Sequence, residues 1–143
     1  LKMKEVHILL VEDNPGDVVL TLEAFEESKI KTTISTVDNG KDALDFLYRV
    51  GSYTSAERPD LILLDINIPV FNGHEVLAEI KSHPDLKKIP IIMLTTSSNQ
   101  KDIHKAYENY ANSYVTKPLE MEDFLNAILK IEEFWLQLSK LAH

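Results

Sequence analysis

The stretch Asp60-Leu61-Ile62-Leu63-Leu64-Asp65 sets large apolar residues side by side between two carboxylates. A half-exposed strand or an amphipathic helix would interrupt such a run with polar residues on its solvent face. A short, unbroken run fits a strand buried on both sides, as in a parallel sheet covered by helices. Val6-His7-Ile8-Leu9-Leu10-Val11 has the same character and stops at Glu12-Asp13-Asn14-Pro15-Gly16, which reads as turn chemistry. Pro90-Ile91-Ile92-Met93-Leu94-Thr95 reads as a further buried strand, and Ser113-Tyr114-Val115-Thr116 as a shorter one. Thr32 to Val37 is poorer in large apolar side chains and is expected near a sheet edge.

Helical spacing fills the intervals. Val18, Leu22 and Phe25 predict a helix to about Ser28, and Ala43, Leu44, Leu47 and Val50 form a second stripe after a break at Asp38-Asn39-Gly40. Gly51 to Pro59 reads as a polar loop, and Pro69 to Gly73 as another. Val76, Leu77 and Ile80 mark a third helix that ends before His83-Pro84. Ser97-Ser98-Asn99 offers N-caps for a helix over Ile103 to Tyr110, and a long helix is expected from about Met121 towards Leu141. Strands alternating with helices of this length predict an α/β fold: a flavodoxin-like (βα)5 three-layer sandwich with strand order 2-1-3-4-5.

With 143 residues, one domain is expected. A net charge of −8 repels phosphate backbones and anionic headgroups, so neither nucleic acid nor membrane is expected as a partner. No apolar run approaches the length of a membrane span, and the N-terminus carries no secretory pattern. The chain contains no cysteine, which excludes thiolate metal sites and fits the expected cytoplasmic location.

In open α/β sheets, ligands sit beyond the carboxyl ends of the strands. Glu12 and Asp13 follow the first strand, Asp65 closes the third, Thr95 closes the fourth and Lys117 follows the fifth. Each alone has a plainer reading: a helix-capping pair, a turn residue, an ordinary strand end, a loop. Together they fall on one sheet edge. Three carboxylates in one pocket repel each other unless one holds a proton or a cation joins them. Oxygen ligands suit Mg²⁺, which also takes a phosphate oxygen. A hydroxyl and a lysine can hold the remaining phosphoryl oxygens, which completes the equipment for phosphoryl transfer.

Val11-Glu12-Asp13-Asn14, Leu63-Leu64-Asp65-Ile66-Asn67-Ile68-Pro69 with Gly73, Leu94-Thr95-Thr96 and Tyr114-Val115-Thr116-Lys117-Pro118 resemble the motifs of response-regulator receiver domains. The likeness runs from Val6 to about Ile131 and implies a single receiver domain over 1–143, with a C-terminal helix extension over about 132–143. It departs from many members in pairing one Glu with one Asp at the acidic turn. It implies Asp65 as phosphoacceptor and metal ligand, Asp13 as a direct Mg²⁺ ligand, Glu12 as one acting through water, and the Asn67 carbonyl as a further ligand. Thr95 and Lys117 would contact the phosphoryl group. Thr95 and Tyr114 would form the switch, and Lys117-Pro118 would be a cis peptide. Asn67 and Ser97 would tune phosphoryl lifetime. The implied partner is a sensor histidine kinase, with signalling through the face of helix four, strand five and helix five. The chain would not be an enzyme, beyond assisting its own phosphorylation and dephosphorylation. No output domain is recognised. Asp13-Asn14-Pro15-Gly16-Asp17-Val18 and Ile131-Glu132-Glu133-Phe134-Trp135 narrow the resemblance to small receivers that partner phytochrome-type kinases.

Phe124, Ile128, Ile131, Trp135 and Leu138 recur as a heptad-like stripe. Phe134, Trp135 and Leu138 either form a homodimer interface or fold back over their own domain. His7, His74, His83, His104 and His143 show no metal-ligand spacing beside a carboxylate. Gly40 and Gly51 read as loop or cap glycines, and no phosphate-binding glycine loop occurs. A Mg²⁺-dependent aspartyl phosphatase is a rival, but its general acid–base position is occupied by Asn67, which cannot transfer a proton. An adaptor that is never phosphorylated would have no need of the acids and the lysine together.

Overall fold

The structure, a computed structural model, describes residues 5–27, 31–95 and 113–116. The helices expected over Ile103 to Tyr110 and from Met121 lie outside the described residues, as do Ser97, Lys117, Pro118, Phe134, Trp135 and Leu138. The elements run β1 (Val6–Val11), α1 (Pro15–Glu26), β2 (Thr32–Val37), α2 (Gly40–Tyr48), β3 (Leu61–Asp65), α3 (Gly73–Ser82), β4 (Ile91–Thr95) and β5 (Ser113–Thr116). Short 3₁₀ turns occupy Gly51–Tyr53 and Leu86–Lys88. The strands form a parallel sheet in the order β2-β1-β3-β4-β5.

The unbroken apolar run of β3 has the cause its composition implies. Ile62 and Leu64 join one core cluster with Leu9, Val11, Ala43, Leu47, Val76, Leu77 and Ile80. Leu61 and Leu63 join the opposite cluster with Ile8, Leu10, Ala24 and Phe25. Successive side chains of a strand point to opposite faces, and here each face meets a helix layer: α2 and α3 on one side, α1 on the other. Burial of each such side chain contributes about 1.5–3 kcal/mol, so β3 is the structural axis of the sheet. Among the described residues, no helix is long and apolar enough to cross a membrane.

Two local expectations are corrected. Pro15-Gly16 does not extend the turn but opens α1, with Asn14 as N-cap and its side chain accepting from the Asp17 N–H at 3.1 Å. Proline fits there because the first helical N–H has no intrahelical partner to lose. Val50 is not part of the second helical stripe. Arg49 closes α2 in the left-handed conformation (φ 58°), and Val50 is left exposed beyond it. The segment read as a polar loop is also less detached than its composition suggests, because Tyr53 and Ala56 pack on the core.

α3 starts with a capping box. The Asn72 Oδ1 accepts the Glu75 N–H at 3.0 Å, and the Glu75 carboxylate accepts the Asn72 N–H at 3.1 Å. Asn72→Ala is expected to cost about 1 kcal/mol, read as a melting midpoint lower by about 3 °C. An unchanged midpoint would show that α3 does not depend on this cap.

Candidate metal centre

Parallel pairing of β1 with β3 matches Val11 to Leu64. One residue further along, Glu12 comes level with Asp65. The side-chain carboxylates of Glu12, Asp13 and Asp65 offer oxygens that all lie within 4.8 Å of one another. Glu12 and Asp65 are 3% and 6% exposed, which makes this cluster unlike the acid-rich surface around it. Asp13 is exposed. Glu12 and Asp13 also line a surface cleft of about 550 Å³ bounded by Pro15, Val18, Val19, Asp38, Asp42 and Tyr53.

Local backbone holds Glu12 and Asp65 in place. The Glu12 N–H donates to the Val37 carbonyl at 3.0 Å, and the Glu12 Oε2 accepts the Asn14 N–H at 3.3 Å. The Asp65 Oδ1 accepts the Asn67 N–H at 3.2 Å. The Ile66 carbonyl accepts both the Ile68 N–H at 3.1 Å and the Gly73 N–H at 2.9 Å, which folds the chain back immediately after β3. Gly73 must be glycine for this approach: a Cβ there would lie 2.4 Å from the Asp65 carbonyl oxygen.

The Asp65 carboxyl is pushed up to about 6. Burial is the main cause. The Asn67 N–H opposes it, the charge of Asp13 adds to it, and smaller effects come from the Ile66 N–H and from Asp17. Asp17 is itself raised, first by burial and then by Asp13. A site that penalises its own negative charge in this way is relieved by a cation. All-oxygen donors from carboxylates match a hard divalent ion rather than a soft one.

A model of the response regulator receiver domain matches residues 8–129. The chain belongs to the response-regulator receiver family. This receiver is 45% identical to the response regulator Rcp1 of Synechocystis over 130 residues, 91% of its own length and 88% of the relative's. It is similar to the crystal structure of the phosphorylated cyanobacterial phytochrome response regulator RcpA, with a TM-score of 0.89 at 45% identity, covering 93% of this chain and 95% of that one. It is also similar to the Mn²⁺-bound form of Rcp1, with a TM-score of 0.86 at 44% identity, covering 92% and 94%.

The receiver fold therefore brings Glu12, Asp13 and Asp65 together, with the Asn67 backbone bonded to Asp65. Thr95 ends β4 one position beyond the Asp65–Leu94 pair, and Tyr114 in β5 pairs with Met93. The described histidines are used elsewhere. The His83 Nδ1 accepts the N–H groups of Asp85 and Leu86 at 3.2 and 3.3 Å, the His7 Nε2 meets the Ser35 Oγ at 2.9 Å, and His74 is buried on α3.

Sequence reasoning passed over two contributors. Asp17 acts electrostatically on Asp65; the available signal was its place four residues after Asp13, at the start of a helix. Gly40 is not merely a cap glycine. It is buried as the first residue of α2, and its N–H donates to the Pro69 carbonyl at 3.1 Å in the loop that follows Asp65.

Proposed function

We propose that this receiver is a two-component phosphoacceptor: Asp65 takes a phosphoryl group from the phosphohistidine of a sensor histidine kinase in a Mg²⁺-dependent reaction. The observation that carries the reading is the close cluster of Glu12, Asp13 and Asp65 at the carboxyl edge of the sheet, with the Asp65 carboxyl raised by burial. Asp13 and Asp65 would hold the ion directly and Glu12 through water, with the Asn67 carbonyl as a further ligand. When bound, Mg²⁺ would supply positive charge that offsets the carboxylates and favours an incoming phosphoryl oxygen. The ionised Asp65 oxygen attacks phosphorus as the phosphorus–nitrogen bond breaks, and the imidazole of the donor keeps the electron pair. The N–H of Asn67 keeps the Asp65 carboxylate oriented, while Thr95 and Lys117 contact the phosphoryl oxygens.

In this reading the full chain forms a (βα)5 domain with a cis Lys117–Pro118 bond and an extended last helix. Engagement of Thr95 lets Tyr114 turn inward, which shifts a pre-existing equilibrium on the face around β5. The signal leaves by protein–protein contact in the cytoplasm. The likeness to Rcp1 and RcpA supports a phytochrome-type kinase as donor. Phe134, Trp135 and Leu138 are proposed to pair two copies; neither membrane nor nucleic acid is proposed as a partner.

The test is intact mass after incubation with a small acyl phosphate. One phosphoryl group gained with Mg²⁺, and none once the metal is chelated, is expected. No gain from either the acyl phosphate or a phosphorylated kinase would overturn the reading.

A further inference from the structure

We infer that Gly40, at the start of α2, is a positioning residue for the metal centre: its missing side chain lets the loop after Asp65 seat against α2 and so holds that loop in its ligating arrangement. The inference rests on the metal reading above and assigns a role to a residue outside the acidic cluster.

The contact is a backbone-to-backbone one. A Cβ on Gly40 would lie 2.1 Å from the Phe71 carbonyl oxygen, 2.7 Å from the Phe71 Cβ and 2.8 Å from its carbonyl carbon. Ordinary contacts begin near 3.4 Å, so one side must retreat by more than 1 Å. The Gly40 N–H also donates to the Pro69 carbonyl at 3.1 Å, which ties the same two segments together.

α2 is the less yielding side. Its Asn39 cap bonds the Asp42 N–H at 2.8 Å, and Ala43, Phe46 and Leu47 are buried in the core. In the loop, Val70 and Phe71 are 66% and 40% exposed, and Val70 sits at φ 69°, costly for a β-branched residue. A loop already held in an unfavourable conformation moves first when its support is displaced.

The displacement has a short path to the site. Pro69 and Phe71 lie inside the turn whose ends are fixed by the Ile68 and Gly73 N–H bonds to the Ile66 carbonyl. The same turn carries Asn67, whose N–H holds the Asp65 Oδ1 at 3.2 Å. Supporting residues one layer out from metal ligands commonly change metal affinity by about 10–100-fold when altered.

The experiment is calorimetric titration of Mg²⁺ into wild type, Gly40→Ala, Ala43→Gly and the double variant Gly40→Ala/Phe71→Gly, with circular dichroism to confirm folding. Gly40→Ala is expected to bind Mg²⁺ at least about tenfold more weakly. Ala43→Gly weakens the same helix without adding an atom against the loop and should bind within about twofold of wild type. The double variant, with a backbone free to turn the residue-71 carbonyl away, should recover most of the affinity. Unchanged binding by folded Gly40→Ala, or equal loss in Ala43→Gly, overturns the inference while leaving the metal reading intact. If Gly40→Ala alone does not fold, recovery of fold and affinity in the double variant supports the role, and no recovery overturns it. Absence of Mg²⁺ binding by the wild type would remove the metal reading itself, and this inference with it.

Discussion

Asp65→Asn is expected to abolish the phosphoryl gain proposed above and, without metal, to make the protein more stable at neutral pH than the wild type. Loss of modification follows because an amide is no nucleophile towards phosphorus. The stability gain follows from the buried carboxyl. Its folded value of about 6 lies above its ordinary value of 3.8, so the folded protein binds more protons than the unfolded chain between those limits. Stability linked to Asp65 is therefore complete below about pH 4 and is lost as pH rises through about 6. The full shift would be worth about 3 kcal/mol, and solvent screening from the exposed Asp13 side of the cluster leaves about 1–2 kcal/mol. Asparagine keeps the acceptor for the Asn67 N–H and removes the charge. Asp17 is raised in the same direction and leaves a smaller slope in the variant. Urea unfolding of metal-free protein between pH 4 and 8 measures this directly. Stability of the wild type should fall relative to that of the variant as pH rises. Mg²⁺ should stabilise the wild type at pH 7 and do so progressively less below pH 6, as protons compete for the same oxygens. Equal pH slopes in the two proteins would show that Asp65 is not strained by its own charge.

Gly73→Ala is expected to unfold more easily by about 3 kcal/mol and to lose Mg²⁺ binding in whatever fraction stays folded. Helical preference alone favours alanine over glycine by up to about 1 kcal/mol. Here sterics win. The added Cβ would meet the Asp65 carbonyl oxygen at 2.4 Å, the Ile66 Cα at 2.7 Å and the Asp65 carbonyl carbon at 3.0 Å. All three are backbone atoms and cannot swing aside as a side-chain tip would. Either the start of α3 lifts, breaking the 2.9 Å bond from the Gly73 N–H to the Ile66 carbonyl, or the end of β3 moves and carries Asp65 with it. Both disturb the site. Denaturant titration together with Mg²⁺ calorimetry checks the pair of effects. A loss below about 1 kcal/mol would mean that α3 and β3 accommodate a methyl group at this crossing.

Gly73 and Gly40 also show where reading residues in order stops. Gly73 was legible as part of a motif, through resemblance, but not as the point where a helix start touches a strand end. Gly40 read as a cap because its neighbours Asp38 and Asn39 are turn formers. Its contact with Phe71 joins positions 31 residues apart, and no local pattern encodes that. Asn14-Pro15 read as a turn for a related reason. A proline after a polar residue serves a turn or a helix start equally well. The apolar surface that α1 must cover decides between them, and that surface lies on Ile8, Leu10, Leu61 and Leu63.

What the sequence by itself determined was the alternation of strand and helix, the two-sided burial of β3 and the placing of Glu12, Asp13, Asp65 and Thr95 at strand ends. Those follow from periodicity, because side-chain direction along a strand or helix is set by local geometry. Only the tertiary structure decided that Glu12 comes level with Asp65, that three carboxylates share 4.8 Å, and that Asp65 sits buried enough for its charge to be costly. Register, burial and electrostatic coupling depend on distances between segments remote in the chain, and those distances exist only once the sheet has formed.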